Sequence, residues 1–192
     1  MSSPLDAAIA GLSSAEQSVR ETSAEEIHRL GRAAAGCAIS DWWTDNELSA
    51  LLLDRRPSIT VGLAVQRDTF GRIRIANGTP NLSDVPADQD AEEFELQFPP
   101  EILLDILTTR EPGGSGPIAR YLAKFGEGVQ QVEFRCEKVD RATEILKDKF
   151  GIAAIYPATR PGADGTRVNF FLVPSPDGGK VLIELYELKS RG

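Results

Sequence analysis

Gln130-Gln131-Val132-Glu133-Phe134-Arg135-Cys136 alternates polar and apolar side chains along its whole length. In an extended chain successive side chains point to opposite faces, so Gln131, Glu133 and Arg135 share one face and Val132, Phe134 and Cys136 the other. An earlier stretch, Ile59-Thr60-Val61-Gly62-Leu63-Ala64-Val65, lies against it and places Ile59, Val61, Leu63 and Val65 together. A second pair recurs downstream of each. Ile102-Leu103-Leu104-Asp105-Ile106-Leu107 lies against Val181-Leu182-Ile183-Glu184-Leu185-Tyr186, each with three apolar residues, one acid and another apolar residue. Two strand types recurring in the same order predict an α+β chain with a duplicated unit, in modules 58–110 and 127–188.

Between these strands the period changes to helical. Asp68 to Asn77 reads as a helix stopped at Asn77-Gly78, Ile118 to Phe125 as one stopped by Gly126, and Asp140 to Phe150 as one capped by Gly151. Phe94 to Phe98, Ile102 to Thr108, Ile152 to Ala158, Val168 to Val173 and Val181 to Leu188 read as further strands. The second module is therefore βαβββ; the first lacks a clear second strand. Thr79 to Glu93 reads as a loop, and Glu111 to Pro117 as a linker. Residues 1–56 read as a helical extension and 57–192 as the main domain. Ser23 to Glu26 and Thr44 to Glu47 fit the capping box, and Ile27, Leu30, Ala34, Cys37 and Ala38 form one stripe. Arg55-Arg56-Pro57 ends the helical region. Trp42-Trp43 reads as an aromatic contact with the sheet domain or with a partner.

Composition removes whole classes of function. With 21 Lys+Arg against 29 Asp+Glu, the net charge of −8 repels phosphate backbones and predicts no nucleic-acid partner. No apolar run approaches the roughly 20 residues of a bilayer-spanning helix, and no leader pattern opens the chain, so the expectation is a cytoplasmic protein without a membrane partner. Cys37 and Cys136 make no disulfide scaffold and read as reduced, buried small hydrophobes. The one histidine, His28, falls at the edge of a helical stripe and reads as a solvent-side residue. Without a histidine in the sheet region no serine or cysteine triad can be built. The glycine-rich stretches at 113–116 and 162–165 lack the strand-to-helix setting of a phosphate loop and read as turns.

Gly116-Pro-Ile-Ala-Arg-Tyr-Leu-Ala-Lys-Phe-Gly-Glu-Gly-Val-Gln-Gln131 resembles the linker and fifth strand of methylmalonyl-CoA epimerases, members of the vicinal oxygen chelate (glyoxalase/bleomycin resistance) superfamily. Arg160 to Phe171 and Gly179 to Glu187 resemble that family's closing hairpin and last strand. The likeness covers roughly residues 115 to 188. It implies paired βαβββ modules in a curved mixed sheet around a cavity, a homodimer, and a metal held by the first and last strands of each module. Carried over by position, those places are Thr60, Asp105, Gln131 and Glu184. The family pattern has histidine where Thr60 and Gln131 stand. What survives is an all-oxygen set, with Gln131, Glu184 and Asp105 as the ligands of any retained site; such a set suits Mg²⁺, Ca²⁺ or Mn²⁺, and the simplest expectation is no resident cofactor.

Three functions stay open. One is an epimerase-type isomerase acting on an acyl-CoA or related carbonyl substrate, with Glu184, Asp105 and Glu133 as candidate acid/base groups and Gln131, Arg135, Tyr186 and Thr60 contacting the substrate. A second is a metal-free protein of the same fold that binds a ligand or partner without turnover. The third is a different metal-independent reaction with Glu133 as base. A purely structural reading also exists, in which Glu133 and Arg135 pair with each other.

Overall fold

The structure, a computed structural model, describes residues 3–52 and 58–188. The helix stop expected at Arg55-Arg56-Pro57 lies outside the described residues. The elements run α1 (Pro4–Gly11), α2 (Gln17–Ala34), α3 (Gly36–Trp42), α4 (Asn46–Ser49), β1 (Thr60–Ala64), α5 (Arg67–Ala76), β2 (Ala91–Phe98), β3 (Ile102–Thr109), α6 (Pro117–Phe125), β4 (Gly128–Arg135), α7 (Val139–Phe150), β5 (Arg160–Pro161), β6 (Arg167–Pro174) and β7 (Lys180–Glu187). Two compact units divide the chain: one holds the helices up to Gly31 and Thr60–Gln130, the other Arg32–Ile59 and the residues from Gln131 onward.

In the first unit β1 pairs in parallel with β3, and β2 pairs antiparallel with β3. This is β1-α5-β2-β3, a βαβββ module short of one strand, as the sequence comparison of the halves predicts. One face of these strands is apolar. Val61, Leu63, Phe94, Leu104 and Ile106 are each fully shielded, and Phe70 of α5 meets Phe94 edge-on at 4.8 Å. Burial of each such side chain stabilises by roughly 1.5–3 kcal/mol, which is why these strands hold their register. Strand β2 starts earlier than expected, at Ala91, because Glu92 and Glu93 are tolerated on a strand that has a partner on only one side.

The N-terminal helices differ from their expected starts. The capping box falls at Ser3, whose hydroxyl accepts from the Asp6 amide while the Asp6 carboxylate accepts from the Ser3 amide. Ser23 caps nothing; it is buried in the middle of α2, packed where Gly11 leaves room. At the second expected box the cap is one residue on: Asp45 accepts from the amides of Glu47 and Leu48 and so opens α4.

In the second unit β4 pairs in parallel with β7, β6 runs antiparallel to β7, and β5 to β6. This is the complete module, with first and last strands paired in parallel, as β1 and β3 are in the other unit. Its core face gathers Val132, Phe134, Phe171, Ile183 and Leu185 under Trp42, which meets Phe134 at 5.7 Å and Phe171 at 6.3 Å. Trp43 also meets Phe134, at 5.0 Å, so the aromatic contact expected of this pair is made on the sheet. Helix α7 starts against β7, where the Val139 amide donates to Glu187 at 3.0 Å.

Residues 152–158 do not form the expected strand. Ala154 alone bridges to Phe171, and regular pairing begins only with the two-residue β5. Pro157 lacks the amide donor a ladder needs, so the segment stays irregular despite its apolar residues.

Candidate functional site

Strand parity sets the polar face of the second unit. Gln131, Glu133 and Arg135 project from the same side of β4, and the register pairs Glu133 with Glu184 and Arg135 with Tyr186 on β7. On β6, Phe170 pairs with Glu184, Leu172 with Leu182, and Val168 with Tyr186; Arg160 of β5 pairs with Val168. The face is thus read in rows across the strands. One row runs Glu133, Glu184, Phe170; the next runs Arg135, Tyr186, Val168, Arg160.

Gln131 joins the two carboxylates. Its amide nitrogen donates to Glu184 Oε2 at 2.7 Å and to Glu133 Oε1 at 3.0 Å. A primary amide has two N–H groups and both are engaged here. The side chain is only 6% exposed, so these bonds form largely out of water, where a charge-assisted bond is strongest. Gln131 therefore positions Glu133 and Glu184, and both of its N–H groups are directed at these carboxylates. Glu184 and Glu133 are half-buried, while Arg135, at the end of β4, is exposed. The carboxylate of Glu133 accepts from Gln131.

Thr60 and Asp105 belong to the other unit. Both are buried, at 7% and 6% exposure. The register Thr60↔Leu103 and Gly62↔Asp105 puts them on one face of β1 and β3, two residues apart along the strand direction. Glu95 of β2 pairs with Asp105, which makes that face acidic as well.

Three further residues escaped sequence reasoning. Phe170 forms the wall beside Glu184, Tyr156 meets Phe170 edge-on at 6.0 Å, and the Arg160 guanidinium lies over the Tyr156 ring at 4.4 Å. The run Val168 to Val173 hides the position of Phe170, because five of its six residues are apolar and parity cannot be read from it.

The arrangement does not fit a bound transition metal. Among the described residues no three His, Cys, Asp or Glu side chains converge as a metal site. Gln131 turns N–H groups toward both carboxylates, and an N–H donor repels a cation where a ligand would have to offer a lone pair. His28, the one histidine, lies in α2.

Known structures share the architecture. The epimerase of Mycobacterium tuberculosis is 28% identical with a TM-score of 0.56, over 69% of this chain and 87% of that one. A methylmalonyl-CoA epimerase solved with methylmalonyl-CoA and NH₄⁺ is 24% identical with a TM-score of 0.55, over 70% and 96%. A Streptomyces coelicolor methylmalonyl-CoA epimerase variant solved with 2-nitronate-propionyl-CoA is 22% identical with a TM-score of 0.54, over 70% and 98%. The chain has the vicinal oxygen chelate fold. No protein-family model matches the sequence, and no curated protein sequence matches it. The described residues contain no helix long and apolar enough to cross a membrane.

Proposed function

We propose that this vicinal oxygen chelate protein binds an acyl-CoA or related carbonyl ligand on the polar face of β4 and β7 and moves a proton at the carbon beside the carbonyl, as an isomerase does. The observation that carries this reading is the Gln131 amide bound to both Glu133 and Glu184. Two carboxylates fixed by one donor are a prepared pair of proton-transfer groups: one removes a proton as the other presents one. Glu184 stands deeper in the sheet, on β7 between β4 and β6, and is the base in this reading; Glu133 is its partner. The enolate needs a donor other than Gln131. Arg135, one row along the same face of β4, is the guanidinium in reach, about 7 Å along the strand from Glu133. Tyr186 lies beside it. Similar structures hold methylmalonyl-CoA and 2-nitronate-propionyl-CoA, which supports a thioester ligand here.

Thr60 and Asp105, together on one face of β1 and β3, are proposed by the resemblance as a substrate contact and an additional acid/base candidate respectively. The division into a helical extension at 1–56 and a main domain at 57–192, a homodimer and a cytoplasmic location are parts of the same proposal. No step is assigned to a metal.

A second reading, ligand binding without turnover, draws on the same amide: with both N–H groups engaged, the obvious oxyanion donor of β4 is absent. The test is exchange of the α-proton of propionyl-CoA and of methylmalonyl-CoA in D₂O, followed by NMR. Exchange that Glu184→Gln removes supports the isomerase; binding without exchange supports the second reading.

A further inference from the structure

Helix α5 of the first unit ends on Asn77-Gly78. Asn77 is the C-cap, Gly78 follows it with φ +80°, and the amides of Gly78 and Thr79 donate to the carbonyls of Ile75 at 3.3 Å and Arg74 at 2.9 Å. These are the two closing bonds of a Schellman motif. The Asn77 side chain reaches further: its Nδ2 donates to the Ile73 carbonyl at 2.8 Å and to the Leu12 carbonyl at 3.0 Å. Leu12 is the C-cap of α1 and fully shielded, so Asn77 supplies the partner of a carbonyl that the end of α1 leaves over. One side-chain amide thus ties α1 to α5. Helix α1 depends on such ties, because eight residues are too few for a helix to persist by itself.

Asn-Gly is also a reactive pair, since glycine has no Cβ to hinder the approach of its own nitrogen to the asparagine side chain. The Gly78 nitrogen attacks Asn77 Cγ, the N–Cγ bond forms, the Cγ–Nδ2 bond breaks and ammonia leaves; water then opens the cyclic imide to aspartate or isoaspartate. The folded chain opposes each requirement. The Gly78 N–H is given to Ile75, Asn77 at ψ 28° turns that nitrogen away from its own Cβ, and Nδ2 is held by two carbonyls. Gly78 itself is exposed, with nothing within 4 Å of where a Cβ would stand, so water reaches the step once the backbone is freed. We propose that Asn77 is a deamidation site guarded by the docking of α1, and that its conversion releases α1 irreversibly. An acid at position 77 has no N–H for Leu12 or Ile73 and sets its charge against two carbonyl oxygens. Isoaspartate also lengthens the main chain inside the closing motif. Departure of α1 uncovers the buried Ala8, Ile9 and Leu12.

The test incubates the full chain in mildly alkaline buffer, native and in urea, and follows residue 77 by peptide mass spectrometry. Conversion is expected in urea and about ten- to a thousandfold more slowly in the native protein, in proportion to the population of the opened segment. Ser3→Ala removes the cap of α1 without touching Asn77 and should raise the native rate about fivefold. Ile106→Val, in the strand core of the same unit, should leave that rate unchanged, because α1 opens without the sheet. Asn77→Asp, the product of the reaction, should lower amide-exchange protection across Pro4–Leu12 at least about tenfold while β1 and β3 keep theirs. Equal rates in urea and in native buffer, or a native rate raised by Ile106→Val and not by Ser3→Ala, overturn the guarding role of α1. No conversion in urea overturns the site, and full protection of α1 in Asn77→Asp overturns its release.

Discussion

Gln131 and Glu184 stand on the first and last strands of one module, and the amide of the first donates to the carboxylate of the second at 2.7 Å. Because β4 and β7 are paired in parallel, residues distant in sequence meet side by side, which is how the fold builds a polar centre in a sheet whose other face is apolar. Removing the donor and removing the charge are then different experiments. Gln131→Leu takes both N–H groups from Glu133 and Glu184 and leaves two carboxylates facing each other, at an expected cost of about 1–3 kcal/mol. Glu184→Gln retains an oxygen that can accept the bond and loses only its charge assistance, about 0.5–1.5 kcal/mol. Urea denaturation should rank the two in that order, and Glu184→Gln should abolish proton exchange; equal stability losses would remove Gln131 from its positioning role.

Trp42 is the largest side chain of the second unit's core, 1% exposed and edge-on to Phe134 and Phe171. Trp42→Ala opens a cavity under the sheet and should cost about 3–5 kcal/mol. Trp42→Phe keeps an aromatic edge in place and should cost about 1–2 kcal/mol. Thermal unfolding followed at the far-ultraviolet backbone signal measures both; a loss under 1 kcal/mol for Trp42→Ala would mean α3 does not anchor this core.

Strand order in the two halves was legible because each strand facing water on one side alternates, as in Gln131 to Cys136, and because the acid in each closing strand breaks an otherwise apolar run. The polar face could be read from parity alone. The segment 152–158 misled because Ile152 to Tyr156 is a continuous apolar run like a buried strand, while Pro157 removes a donor that a ladder there would need. The helix starts were misplaced by one rule applied too locally. Ser23 and Thr44 have the right spacing to a glutamate, but the helix containing Ser23 begins six residues earlier, and Asp45 competes with Thr44 as a better acceptor. The bonds of Gln131 to two glutamates depend on the β4–β7 register and on rotamers, which no single strand's sequence encodes.

Cys136 is buried, and burial, with Glu187 and Glu137 adding repulsion, pushes its thiol up to about 12. A thiol held protonated in the folded state contributes stability below its ordinary value near 9 and loses that contribution as pH rises from there toward 12. Native protein at pH 8 should therefore react with a disulfide reagent at the half-buried Cys37 first, and at Cys136 only after unfolding. Two thiols reacting at the same rate in native buffer would contradict this.

Gly31 sits where α2 presses on β1. A Cβ added there would come within 2.5 and 2.7 Å of the two γ carbons of Val61. Both atoms belong to a rigid, fully buried valine, so Gly31→Ala should destabilise by about 1–3 kcal/mol despite the helix propensity it gains. Val61→Ala removes both γ carbons and should recover part of that loss in the double variant, a coupling of about 0.5–2 kcal/mol in a double-mutant cycle. Additive effects would show that α2 can shift off the strand.

Gln131 also separates this site from one that holds a metal. Its amide nitrogen lies within 3.0 Å of a carboxylate oxygen on either side. Gln131→His replaces a donor by an imidazole that can present a lone pair, with Glu133 and Glu184 already placed as oxygen ligands. A Zn²⁺, Co²⁺ or Ni²⁺ ion would then have three ligands from two adjacent strands. The expected outcome is binding at one ion per chain by the histidine variant, at least about tenfold tighter than by the parent, and a rise in melting temperature on adding Ni²⁺ that the parent lacks. The charge balance points the same way, since the ion neutralises two carboxylates that a histidine cannot satisfy as fully as the amide does. The variant without metal should therefore be less stable than the parent and recover on metal addition, a reversal that distinguishes ligation from incidental surface binding. Equal Ni²⁺ affinity of parent and variant would show that the two carboxylates are not arranged to share an ion.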